Sequence, residues 1–204
     1  KKYRRKKPIN GVIVAVSLAE PQDSDQFNLS TASAADIERH ANYIRKRIDE
    51  LIKGFVLEFP VYVVFTKCDL LNGFVEFFDD LNHSGRTQVL GATLSEKATR
   101  ETHPANLFRF SFFIICLSLQ HRQLARLRAE PKLENRGKIY SFPMQFRAVR
   151  DNLVLFVSTL FQSNPYQEKP IFRGFYFTSG TQEGVPFDQV MAKLAEKFGV
   201  IPMV

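Results

Sequence analysis

The chain has 204 residues, 45% of them hydrophobic, with 20 Phe and no Trp, enough for one good core and too little for a second large one. Its formal charge of +7 resembles a nucleic-acid signal until it is located: Lys1, Lys2, Arg4, Arg5, Lys6 and Lys7 supply six of those charges and leave one for everything else. The near-neutral body argues against a nucleic-acid binder. The two cysteines, Cys68 and Cys116, have neither CxxC spacing nor a set of His partners, which argues against a zinc site or disulfide framework and fits a reducing compartment.

The basic start reads as a solvated lead-in to a strand, with a partner-binding or membrane-surface segment as the other reading. Residues 9–18 (INGVIVAVSL) form a continuous β-branched run, the pattern of a strand covered on both faces. A polar loop follows to Thr31. Ser33 and Asp36 then form a capping pair, and Ile37, Ala41, Ile44, Ile48, Leu51 and Ile52 repeat at helical spacing, with Gly54 near the helix end. Residues 61–65 are the next strand, after Pro60. Strand–helix–strand with a short return predicts a right-handed parallel crossover.

Residues 70–81 read as helical and 82–103 as a polar, irregular stretch. Phe108, Phe112, Ile115 and Leu119 begin a long amphipathic helix ending near Ala129, broken by Pro131 and Gly137. Pro143 suits the first turn of another helix, whose predicted buried stripe is Phe146, Val149, Leu153, Phe156, Val157, Leu160 and Phe161. A last strand, 171–177, precedes a helix with Phe187, Val190, Met191, Leu194, Ala195 and Phe198 on one face. The order is β-α-β, a helical insertion, then β-α. The longest apolar candidate for a membrane span, 108–119, contains Arg109 and falls short of the roughly 20 residues needed. With no initiating Met and charges running straight into a strand, the chain reads as a piece of a longer protein.

The strand 61–65 ends in Thr66-Lys67-Cys68-Asp69. A buried strand ending in [Asn/Thr]-Lys-x-Asp is how GTP-binding domains read guanine: the Asp carboxylate accepts two hydrogen bonds from the base edge and the Lys stem covers the ring. Ligand sites of open α/β sheets also lie at the carboxyl ends of strands. The competing reading is a polar strand-capping turn. The strand 171–177 ends in Thr178-Ser179-Gly180-Thr181, a small-residue loop placed to offer backbone N–H groups to the guanine oxygen. The candidate base-binding residues are therefore Thr66, Lys67, Asp69, Ser179, Gly180 and Thr181. No G-x-x-x-x-G-K-[Ser/Thr] occurs, so the phosphate half of such a site is missing. His40, His83, His103 and His121 show no metal-seating spacing, and no nucleophile has a His in a recognisable frame, so no catalytic or metal residue is named.

The chain resembles the cytoplasmic domain of the TssM/IcmF family of secretion-system inner-membrane proteins. The resemblance rests on residues 8–18, on 59–70, on Gly73-Phe74 with Phe77-Phe78, on Phe142-Pro143-Met144-Gln145-Phe146 and, most specifically, on 173–184. It is weakest over 82–106. It implies an α/β fold, the second half of a P-loop GTPase-like parallel sheet with an inserted helical subdomain. Residues 1–81 and 166–204 would form the GTPase-like part and 82–165 the insertion. The phosphate loop would lie upstream, with GTP and Mg²⁺ as cofactors only of the full-length protein. The resemblance further implies an inner-membrane protein with this domain in the cytoplasm, joined to TssL and TssJ in the type VI membrane complex and to baseplate components. Membrane contact would come only through segments outside this chain, and nucleic acid is not an implied partner. Two functions follow: a scaffold or docking domain, or a GTP-dependent switch of the same machine. A role in a type IVB system is the further alternative.

Overall fold

In the computed structural model, which describes residues 9–20, 26–55, 58–86, 88–163 and 170–180, the three apolar runs are strands. β1 (Val12–Ser17), β2 (Pro60–Thr66), β3 (Leu90–Thr93) and β4 (Ile171–Phe177) form one sheet in the order β1-β2-β4-β3. β1, β2 and β4 are parallel, as expected; β3 runs antiparallel along the far edge of β4, so this α/β fold has a mixed sheet.

Period-two alternation puts Val14, Val16, Val61, Val63, Phe65, Phe172, Phe175 and Phe177 on the buried face. The register slips between Val61 and Tyr62, where β4 contributes the extra residue Arg173, so Phe172 and Phe175 both reach that face. The opposite face departs from expectation. Ile13 is 71% exposed and Ala15 is exposed as well. The reason is handedness: β1 to β2 and β2 to β4 step in the same direction along the sheet, so right-handed crossovers drop both sets of helices on one face. The predicted helix bearing Phe187 to Phe198 lies outside the described residues.

α1 (Ala34–Phe55) begins at the predicted capping pair. The Ser33 hydroxyl accepts the Asp36 N–H at 3.2 Å and donates to its carboxylate at 2.7 Å. Ile37, Ala41, Ile48 and Ile52 are buried, with Arg45 on the same face.

Between β2 and β4 the chain is more structured than the sequence indicates. A 3-10 turn (Cys68–Leu70) and the short α2 (Phe74–Phe78) replace the helix expected over 70–81, because Gly73 adopts φ 84° and restarts the chain direction. The stretch 82–103 is not irregular: it contains α3 (His83–Arg86), β3 and α4 (Glu96–Glu101). β3 is four residues with Gly91 at its centre, too short for periodicity to register. It lies in the 82–165 segment yet belongs to the sheet.

α5 (Pro104–Ala129) is the long predicted helix, and Pro131 separates it from α6 (Leu133–Ala148). Gly137 and Pro143 both lie inside α6, against the expectation that each marks a boundary; the break falls at Val149, before α7 (Arg150–Leu160). The predicted stripe from Phe146 to Phe161 is buried throughout, since it bridges that break along one face. Aromatic rings join helices to sheet: Phe65 lies 5.2 Å from Phe177 and meets Phe108 and Phe156 edge-on, while Phe146 meets Phe177 at 4.9 Å. Such pairs contribute roughly 0.5–1.5 kcal/mol each beyond area burial.

Candidate functional site

The carboxyl ends of the three parallel strands converge on residues 66–69. The Leu18 N–H donates to the Thr66 carbonyl at 2.9 Å, the Thr178 N–H to the Phe65 carbonyl at 2.8 Å, and the Cys68 N–H to the Thr178 carbonyl at 3.0 Å. The turn after β2 is thus held on one side by the segment after β1 and on the other by the segment after β4. Thr66, Lys67, Asp69, Ser179 and Gly180 are brought to one end of the sheet, as the motif reading requires. Thr181 lies outside the described residues.

Asp69 is half-buried, and its Oδ1 accepts the Gly180 N–H at 3.2 Å. Residues 111 positions apart in sequence are joined by the two motif segments themselves. Its second carboxylate oxygen accepts no hydrogen bond from the described residues. Thr66 Oγ1 lies 3.4 Å from the Val16 carbonyl, a long contact that ties the motif to β1.

Lys67 carries the local strain. Its φ of 59° makes it the one non-glycine residue with positive φ among those described. Its Nζ donates to both carboxylate oxygens of Glu20, at 2.6 and 2.7 Å. The Glu20 side chain is enclosed, whereas that of Lys67 is 44% exposed. Hydrogen bonds from the Lys67 ammonium and then the Ser17 hydroxyl hold the Glu20 carboxyl below its ordinary range, against the opposing effect of its desolvation. Sequence reasoning missed Glu20, which stands in a polar loop with nothing to mark it. The signal was positional: it follows the first strand of a β-α-β unit by three residues, at the edge where that unit's second strand also ends.

Cys68, the variable position of the motif, is fully buried. Its Sγ lies 3.4 Å from the Phe65 carbonyl, and burial pushes its thiol up to about 12, so it packs and does not react. Two of the histidines have structural roles: His103 Nδ1 accepts the Ala105 N–H at the start of α5, and His40 stacks on Phe27 with ring centroids 4.1 Å apart. Among the described residues no group of His, Cys, Asp and Glu is arranged to hold a metal ion, and no helix is long and apolar enough to cross a membrane.

Chemically, the cluster offers a carboxylate with one oxygen unbonded among the described residues, small-residue backbone beside it, and a lysine held as an ion pair. A guanine edge needs both oxygens of Asp69, and a stacked base needs the Lys67 stem. Each group already has an internal partner.

Residues 1–203 match the family model described as the IcmF-related N-terminal domain. The chain is 39% identical over 201 residues to the type VI secretion system component TssM1 of Pseudomonas aeruginosa (strain PAO1), an alignment covering 98% of this chain and 18% of that protein. The chain therefore spans under a fifth of the length of the curated relative it matches. No solved structure matches it. With a family model over nearly all its length and a relative at this identity, the chain belongs to the IcmF-related family.

Proposed function

We propose that this chain is a docking domain of a type VI secretion membrane complex, built on a GTPase-like fold whose base-reading groups now serve the fold itself. The observation that carries this reading is the commitment of Lys67 to Glu20 and of Asp69 to the Gly180 N–H. A lysine that is to lie over a base has no need of a chelating carboxylate, whereas one that fastens the loop after β1 to the turn after β2 does. The family relationship supplies the machine, the relative being a type VI secretion system component. In this reading the domain is cytoplasmic, in a protein anchored in the inner membrane by segments elsewhere. Residues 1–81 and 166–204 form the GTPase-like part, and 82–165 the inserted part that meets partners. TssL and TssJ in the membrane complex and baseplate components on the cytoplasmic side are the partners.

A nucleotide-dependent switch is the second reading, favoured by the meeting of Asp69 with Ser179–Gly180 at one sheet end. GTP and Mg²⁺ would then be completed by an upstream phosphate loop. Asp69→Asn in the full-length protein separates the two. Asn keeps one acceptor for Gly180 and so preserves the fold, but cannot accept two bonds from guanine, and its amide favours xanthine. Docking expects normal secretion; secretion lost with GTP and binding shifted toward XTP would overturn it.

A further inference from the structure

α5 is apolar on two faces. One face, with Phe108, Phe112, Ile115 and Leu119, is buried in the core. The other carries Phe110, Phe113, Ile114 and Leu117, which are between 44% and 68% exposed. Their spacing, i, i+3, i+4 and i+7, makes a ridge about 10 Å long on one side of the helix. A helix apolar all round is normally enclosed, and an exposed patch of this kind marks a contact surface.

Beside the ridge lies a cleft of about 290 Å³, lined by Arg109, Phe112, Phe113 and Cys116 of α5, with Arg147, Arg150 and Asp151 across from them. Arg150 pairs with Asp151 at 3.0 Å. Arg109 and Arg147 pair with no carboxylate of the described residues. Arg109 stands on a helix without acidic residues: α5 contains four Arg and neither Asp nor Glu. Burial pushes the Cys116 thiol up while Arg147 and Arg150 pull it down, so their positive field extends to the cleft floor. On the opposite flank of the ridge stand the neutral Ser111 and Ser118. The surface is thus an apolar ridge with a basic groove along one side only.

We infer that this face of α5 docks an amphipathic α-helix of a partner protein, with apolar anchors at i, i+3/i+4 and i+7 and Asp or Glu on one flank directed at Arg109 and Arg147. Desolvated apolar contact supplies the attraction, and the guanidinium–carboxylate pairs fix orientation and suppress other partners. A bilayer fits less well, because the floor of the cleft is made by the buried Phe112 and Cys116, which a flat surface does not reach. A second copy of this chain would bring arginine against arginine. The inference rests on the docking reading above and names the chemistry of its partner.

The test is a photo-crosslinking phenylalanine analogue at Phe113 in the full-length protein in cells, with the same analogue at the exposed Lys97 as control. The adduct should map to a helical segment of another protein with acidic residues on one flank. Arg109→Glu combined with Arg147→Glu should lower its yield at least about tenfold, since a single lost charge-assisted contact is already on that scale, without moving the melting temperature. Reversing the acids of the captured segment to Lys should restore the yield. An adduct with phospholipid, with a second copy or with a segment lacking acids would overturn the inference. So would a yield no higher than at Lys97, or one indifferent to charge reversal. Normal secretion by Asp69→Asn together with any of these results leaves docking standing and removes only this surface; lost secretion with the adduct intact does the reverse.

Discussion

The Lys67 ammonium bridges both carboxylate oxygens of Glu20, a side chain only 4% exposed, and so binds the end of β2 to the segment leaving β1. The same residue holds a left-handed backbone at the strand end. Strain and ion pair together mark this corner as one where geometry is imposed by its surroundings.

That pair predicts an acid-dependent contribution to stability. Because Glu20 titrates below its ordinary value of 4.5 in the folded chain, its stabilising effect is complete above that value and is lost as pH falls through the lowered one. Glu20→Gln should lower the urea midpoint at pH 7, and the gap from the parent chain should narrow as pH falls below 4.5. Asp36, Glu76, Glu96 and Glu130 are depressed as well, so the parent itself weakens in acid and only the difference isolates Glu20. A gap independent of pH would show that the pair adds nothing.

Two glycines should respond in opposite senses to alanine. Gly73 has φ 84°, and a Cβ there would collide with the Lys138 carbonyl of α6. Gly73→Ala should cost more than about 1 kcal/mol, combining backbone strain with displaced packing. Gly54, inside α1, leaves open space where a Cβ would stand. Gly54→Ala should therefore stabilise by about 0.5–1 kcal/mol. Urea unfolding of both variants checks the pair, and equal shifts would contradict it.

What the sequence made legible follows from where its signals are strong. The runs at 61–65 and 171–177 read as strands because β-branched and aromatic residues are dense there, and their parallel pairing followed from the intervening lengths. The Ser33–Asp36 cap and the buried stripe from Phe146 to Phe161 were equally plain. β3 was hidden because Leu90-Gly91-Ala92-Thr93 has no apolar alternation; Gly91 is required there, since a Cβ would strike the Phe175 carbonyl. Pro143 misled because helix propensity is local, whereas Phe142 and Phe146 on either side are fully buried and keep α6 continuous through it. The motif residues were legible, but Glu20 was not: its role depends on two strand ends meeting in space.

Arg45 supplies a third prediction. It is buried on α1, bonds to Asp49 at 2.8 Å and donates to the Leu160 and Gln162 carbonyls at 2.9 Å each, satisfying the end of α7. Arg45→Met roughly keeps the volume but takes the guanidinium away from those carbonyls and from the mostly buried Asp49. The expected loss is about 3 kcal/mol. A chemical denaturation midpoint within error of the parent chain would mean that water replaces the guanidinium without penalty.

The last prediction concerns nucleotide. Phosphates carry most of the charge that a nucleotide site must neutralise, through a backbone cradle, a lysine and Mg²⁺ ligands. No phosphate-loop motif occurs in these 204 residues, and the lysine of the base motif is held by Glu20. Isothermal titration of the chain with GTP and Mg²⁺ should show no micromolar binding. Glu20→Gln frees the Lys67 ammonium without adding any phosphate ligand, so it should not create binding either. Micromolar binding by the variant alone would make the Glu20–Lys67 pair a gate over a working base site. Binding by both chains would place the phosphate ligands within this sequence and reverse the order of the two functional readings.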